Sequence, residues 1–128
     1  MEIRYDTTAP QPGAALAAFA DCGGGVRLGA DRAGAPGRPA EVIGRCVASQ
    51  LLEELKTGAA LDRFASDQII PFAALAAGES RFSIPMTTDH IQSSAWMAML
   101  FLEAEVRIHG HMLSVTGAGF RPDSGKDA

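Results

Sequence analysis

The chain of 128 residues reads as a two-layer α/β (α+β) domain, a small mixed sheet with helices on one face in the order ββ-α-α-β-α-ββ. Three observations predict it. The triplet Gly23, Gly24 and Gly25 separates two short strand-like runs, as a tight hairpin turn requires. Apolar residues recur at helical spacing over 39–56 and 89–102, and they alternate over 81–86 and on both sides of Gly110.

Composition fits one core. Hydrophobic residues make up 47% and charged residues 20%, a globular balance, and a chain of this length buries roughly two-thirds of the surface its unfolded form exposes. The net charge of −4, without a run of lysines or arginines, argues against a free-standing nucleic-acid-binding module. Cys22 and Cys46 match no zinc or redox spacing and read as reduced, mostly buried thiols. Residues 1–12 lack a signal peptide's basic start and apolar stretch, and no uncharged run approaches the about 18 apolar residues that span a bilayer. A cytoplasmic protein with no membrane partner is expected.

The elements follow in order. Residues 1–12, with Pro10 and Pro12, form an extended lead-in, 13–120 a single domain, and 121–128 a polar tail. Strands are expected over 14–22 and 26–29, then a loop over 30–37 rich in Gly, Ala and Pro. Pro39 suits the first turn of a helix that runs to about Lys56, with Ile43, Val47, Leu51 and Leu55 as its stripe, Cys46 and Leu52 widening it, and Gly58 as its stop. Glu53, Glu54 and Lys56 then fall on its solvated side.

A second helix is expected over 61–76, with Leu61, Phe64, Ala65, Ile69, Phe72 and Leu75 or Ala76 toward the core. Pro71 removes a backbone donor and should bend it near residues 68–70. Residues 81–86 read as a strand, with Pro85 at an edge or end. Thr88 or Asp89 caps a third helix whose inward stripe is Ile91, Ala95, Met99 and Leu102. Trp96, Met97, Leu100 and Phe101 on the other sides predict burial nearly all round. A terminal hairpin over 104–108 and 112–115 closes the order, and no internal repeat is visible.

His90 is the most informative residue for chemistry. It falls in the first turn of the third helix, where free N–H groups and the positive dipole end attract phosphate and disfavour a protonated imidazole. Such a ring can attack phosphorus; a capping or structural histidine fits the position as well. Asp67 and Gln68 are expected mid-helix beside Ile69, Ile70 and Pro71, facing either a site or solvent. His109 and His111, with no third ligand at a useful spacing, read as surface residues, and the glycine clusters fit neither dinucleotide nor P-loop patterns.

Several motifs in one order carry a family resemblance. The stretch Gly29-Ala-Asp-Arg-Ala-Gly-Ala-Pro-Gly-Arg-Pro-Ala-Glu41 is followed by Leu51-Leu-Glu-Glu-Leu55 and Thr57-Gly-Ala59. Then come Asp62, Asp67-Gln-Ile-Ile-Pro71, Ala73-Ala-Leu-Ala76, Ser80-Arg-Phe82 and Asp89-His-Ile91. From Gly13 to Val115 this order resembles the RNA 3'-terminal phosphate cyclases, in the portion after their small inserted domain.

The resemblance implies the C-terminal catalytic part of an enzyme that uses ATP and a divalent metal, Mg or Mn, to convert an RNA 3'-phosphate into a 2',3'-cyclic phosphate through a histidine-linked AMP. It implies His90 as the nucleophile, Asp67 and Gln68 lining the adenylate site, and Phe64 where the family often has a tyrosine near the adenine. A phenylalanine keeps the stacking face and loses the hydroxyl. Ser93-Ser94 departs from the family's frequent threonine-asparagine pair. Family members are several times longer, with earlier α/β modules that supply much of the ATP and RNA surface. The implied partners are an RNA 3'-phosphate end and those modules in trans, or further copies of this chain. A non-catalytic relative acting in ribosome assembly, or a self-associating structural domain, is the alternative.

Overall fold

The computed structural model describes residues 2–8, 10 and 12–121. Their order is β1 (Ala15–Gly23), β2 (Val26–Ala33), α1 (Ala40–Thr57), α2 (Ala65–Leu75), β3 (Ala77–Ser83), α3 (Asp89–Leu102), β4 (Glu105–His109) and β5 (Met112–Ala118), the α/β class and ββ-α-α-β-α-ββ succession expected. The strands divide into two antiparallel sheets, β1-β2 and β3-β5-β4. α1 covers the first sheet, while α2 and α3 pack on each other and on β5 and β4 of the second. Residues 122–128 of the expected polar tail lie outside the described residues.

The first hairpin is longer than its sequence suggested. β2 runs four residues past Gly29, pairing from Val26 opposite Gly23 to Ala33 opposite Ala15, and Gly34 N donates to the Ala14 carbonyl at 2.7 Å. Residues 30–33 are therefore strand, because ladder bonds to β1 outweigh the weak β-preference of small residues. Gly29 lies beneath its cross-strand partner Phe19, where a Cβ would sit 3.2 Å from the ring. Both cysteines are free; Cys46, within α1, is half-buried, whereas Cys22, near the hairpin turn, is exposed rather than buried.

α1 starts after Pro39 and stops at Gly58, whose φ of 65° is the left-handed conformation that glycine adopts without strain. Its expected solvated side needs one correction. Glu54 is only 4% exposed.

α2 begins at Ala65 rather than Leu61, so Phe64 precedes the helix and Asp67 and Gln68 stand in its first turn instead of its middle. The cause is Asp62, whose Oδ1 accepts from Phe64 N at 2.9 Å and Ala65 N at 2.7 Å and so satisfies the helix's leading donors. The buried face is Ser66, Ile70, Ala73 and Ala74, and the expected inward residues Phe64 and Phe72 are exposed. Close approach explains the rotation: a Cβ on Gly117 of β5 would run into the carbonyl oxygens of Ala73, Ala74 and Ala76. Only a face of small residues can lie that near a strand. Gly119 N and Phe120 N donate to Ala76 O and Leu75 O, each at 2.9 Å, and satisfy carbonyls at the helix end.

β3 starts at Ala77, four residues before the expected strand, and pairs with β5 along its whole length. Pro85 lies beyond its end, which spares the ladder a missing donor. The core cluster gathers Ile70, Ala73, Ala74, Ile84, Ile91, Ala98, Ala104, Leu113 and Val115, all C-terminal to α1.

Thr88 caps α3, its Oγ1 accepting from Ile91 N at 3.3 Å. The expectation of burial all round fails here. Ile91, Ala95 and Ala98 are buried, but Trp96 is 60% and Phe101 69% exposed, and Met97, Met99 and Leu100 are open too. Ile91 and two alanines form the side turned to the core, so beyond its first turn this helix also packs closely and leaves most of its large residues outside.

Candidate active site

The expected site residues cluster at the starts of two helices. His90 is the second residue of α3 and is exposed. Thr88 occupies the amide of Ile91, and Gln92 N donates to Thr88 O at 3.0 Å, whereas the amides of Asp89 and His90 precede the first intrahelical bond. Those two donors and the positive helix end lie beside an accessible imidazole, an arrangement suited to an anion.

Phe64, Asp67 and Gln68 sit at the start of α2. Phe64 and Gln68 share a cavity of about 480 Å³ whose walls come from β1 and β2 (Phe19, Gly29, Ala30, Asp31), α1 (Gln50, Glu54) and the approach to α2 (Asp62, Arg63, Ala65). Asp67 is half-buried and, like His90, lies outside that lining. The structure thus brings two of the four residues into one cavity and leaves His90 on the neighbouring helix. Two exposed aromatic residues, Phe19 and Phe64, offer flat apolar surface there, and Gln68 adds an amide that both donates and accepts.

A charged cluster supports the cavity wall. The buried Glu54 carboxylate accepts from Arg63 Nε and, at 3.3 Å, from Arg63 N, while Arg63 Nη2 reaches Glu53 Oε2 at 3.1 Å. These bonds, the one to Glu54 first, raise the guanidinium's pKa above its ordinary value. Ala60 N donates to Ser83 Oγ at 2.8 Å, which ties the same connection to β3. The sequence reading missed Glu54 and Arg63, yet one signal was present: Glu54 lies seven residues after the buried Val47, on the inward side of the helix. His109 and His111 are exposed, and His111 Nδ1 donates to the Ile84 carbonyl at 3.1 Å. Among the described residues no group of three or more His, Cys, Asp or Glu could hold a metal ion, and no helix is long and apolar enough to cross a membrane.

A family model described as RNA 3'-terminal phosphate cyclase matches residues 7–108, a span that takes in Phe64, Asp67, Gln68 and His90. The chain belongs to this family. It is similar to the RNA 3'-terminal phosphate cyclase of Methanopyrus kandleri, 44% identical over 99 residues that cover 77% of this chain and 28% of that protein. The cyclase of Desulfurococcus amylolyticus is 37% identical over 117 residues, covering 87% of this chain and 33% of its own length. That of Korarchaeum cryptofilum is 40% identical over 113 residues, 84% of this chain and 32% of that protein. The chain therefore spans a third or less of the cyclases it matches.

Proposed function

We propose that this chain is the C-terminal catalytic part of an RNA 3'-terminal phosphate cyclase, with residues 13–120 as one cytoplasmic cyclase-like domain and His90 as the residue that carries AMP. The observation that carries the reading is the exposed imidazole of His90 beside the two leading amides of α3. A ring nitrogen of His90 attacks the α-phosphorus of ATP, the bond to the β-phosphate's bridging oxygen breaks, and pyrophosphate leaves. An oxygen of the RNA 3'-phosphate then attacks the same phosphorus and displaces the histidine. The adjacent 2'-hydroxyl closes on the activated 3'-phosphorus, loses its proton and expels AMP, leaving the 2',3'-cyclic phosphate. Phe64 stacks on the adenine, and Asp67 and Gln68 bond to the nucleoside.

Among the described residues no three-ligand cluster for a metal occurs, so a divalent cation, Mg or Mn, would enter with the nucleotide and would offset the negative charge of its phosphates. The open apolar side of α3 supports a need for further cyclase modules, supplied in trans or by a longer chain, to cover it and complete the RNA surface. The same side favours a second reading, association between copies, which sedimentation over a range of concentrations would reveal.

The decisive experiment incubates the protein, with and without a complementing N-terminal cyclase fragment, with ATP labelled at the α-phosphate and magnesium. Acid-labile, hydroxylamine-sensitive label on the protein that disappears in His90→Ala is expected. No label on the complemented wild-type protein would sink the reading.

A further inference from the structure

We infer that Glu54 is a positioning residue: from α1 it holds Arg63 by backbone and side chain at once, and so fixes the turn that presents Phe64 and Gln68 to the cavity. The identity of the ligand in that cavity rests on the function proposed above; the mechanical claim does not.

Glu54 and Ser66 are the buried polar or charged residues among those described. Ser66 Oγ donates to the Asp62 carbonyl at 2.6 Å, a local bond inside the turn. Glu54 is different, because it reaches across nine residues of chain to a separate element. Its two oxygens divide the work: Oε1 takes the Arg63 Nε–H and Oε2 takes the Arg63 amide. The next two amides, of Phe64 and Ala65, go to Asp62 Oδ1. Three successive N–H groups at the approach to α2 are thus fixed by two carboxylates, Glu54 from α1 taking one and Asp62 in the turn itself taking two.

A purely structural tie would not need this chemistry. Carrying a carboxylate out of water is costly, and an apolar pair of similar volume fills a helix–loop contact as well or better. What an apolar pair cannot do is orient the Arg63 amide and hold the next residue, Phe64, at one angle to the cavity. Glu54 and Arg63 line that cavity themselves, and Arg63 already gives Nε to Glu54 and Nη2 to Glu53. Arg63 therefore serves as wall and bracket.

The test compares the full chain with Glu54→Gln and with the double replacement Glu54→Leu/Arg63→Met, which keeps packing and removes the bracket. Each protein is followed by amide exchange at position 63, by thermal melting, and by calorimetric titration with magnesium-ATP in the presence of the complementing cyclase fragment. The double variant should melt close to wild type, exchange the position-63 amide at least about tenfold faster, and bind magnesium-ATP about tenfold more weakly, the scale of one charge-assisted hydrogen bond. Glu54→Gln, which keeps one carbonyl acceptor, should fall between. Unchanged exchange at position 63 overturns the inference whatever the nucleotide does. So does faster exchange with ATP affinity intact, since the turn would then be irrelevant to the cavity. Faster exchange in a protein whose wild type binds no ATP even when complemented supports the bracket and overturns only the nucleotide reading.

Discussion

The two ends of this chain are stabilised by different physics. From α2 onward, two helices and three strands enclose a continuous core that includes Ile70, Ile84, Ile91, Leu113 and Val115. The unit of β1, β2 and α1 contributes only Leu28 and Val47 as large buried residues, and it relies on ladder hydrogen bonds and on the Glu54–Arg63 bracket at its border. The cavity with Phe64 and Gln68 lies where the two meet. A site built there is held by a firm body on one side and a softer one on the other, and its shape follows the softer one.

The sharpest way to break this contrast is to empty the firm half. Leu113→Ala should cost about 4 kcal/mol and lower the denaturation midpoint of the whole chain, because the side chain is fully enclosed and its neighbours cannot close the gap. Next in size, Gly117→Ala should cost about 3 kcal/mol by urea titration, since the new methyl meets backbone carbonyls of α2 that have little room to move. In the softer half Val47→Ala should cost about 2 kcal/mol and speed amide exchange in β1 and β2 before β5 responds. Simultaneous opening of both halves would show that they form one cooperative unit and erase the distinction. Smallest, Thr88→Ala should cost about 1 kcal/mol as a lost cap, with the first turn of α3 fraying around His90. If His90 carries AMP, labelling by ATP should slow in that variant by more than global stability explains.

Local signals were legible wherever the chain announces its own breaks. Gly58 ended α1, the glycine triplet turned the first hairpin, and Thr88 capped α3, each through backbone chemistry that neighbouring residues decide. Faces were harder to read. Around α2 the large residues Phe64, just before the helix, and Phe72, within it, looked like core, but Gly117 admits only alanines against β5, a constraint set by a residue more than forty positions away. In α3 the apolar residues Trp96, Met97, Leu100 and Phe101 are as hydrophobic as a core and yet lie open, because hydrophobicity alone does not name the surface that covers it. The location of His90 in the first turn of a helix was readable from the sequence, and its exposure required the fold. Glu54 reads as solvated from the sequence because a carboxylate on an inward stripe makes sense only once its counter-ion, nine residues later, is seen to fold back onto it.

The outward side of α3 has an optical consequence. The chain has a single tryptophan, and α3 carries it at position 96 where water reaches the indole. Its emission should therefore be red and open to acrylamide quenching in the bare protein. It should turn bluer and become shielded when any body settles there, so every encounter on that side would report itself without a dye.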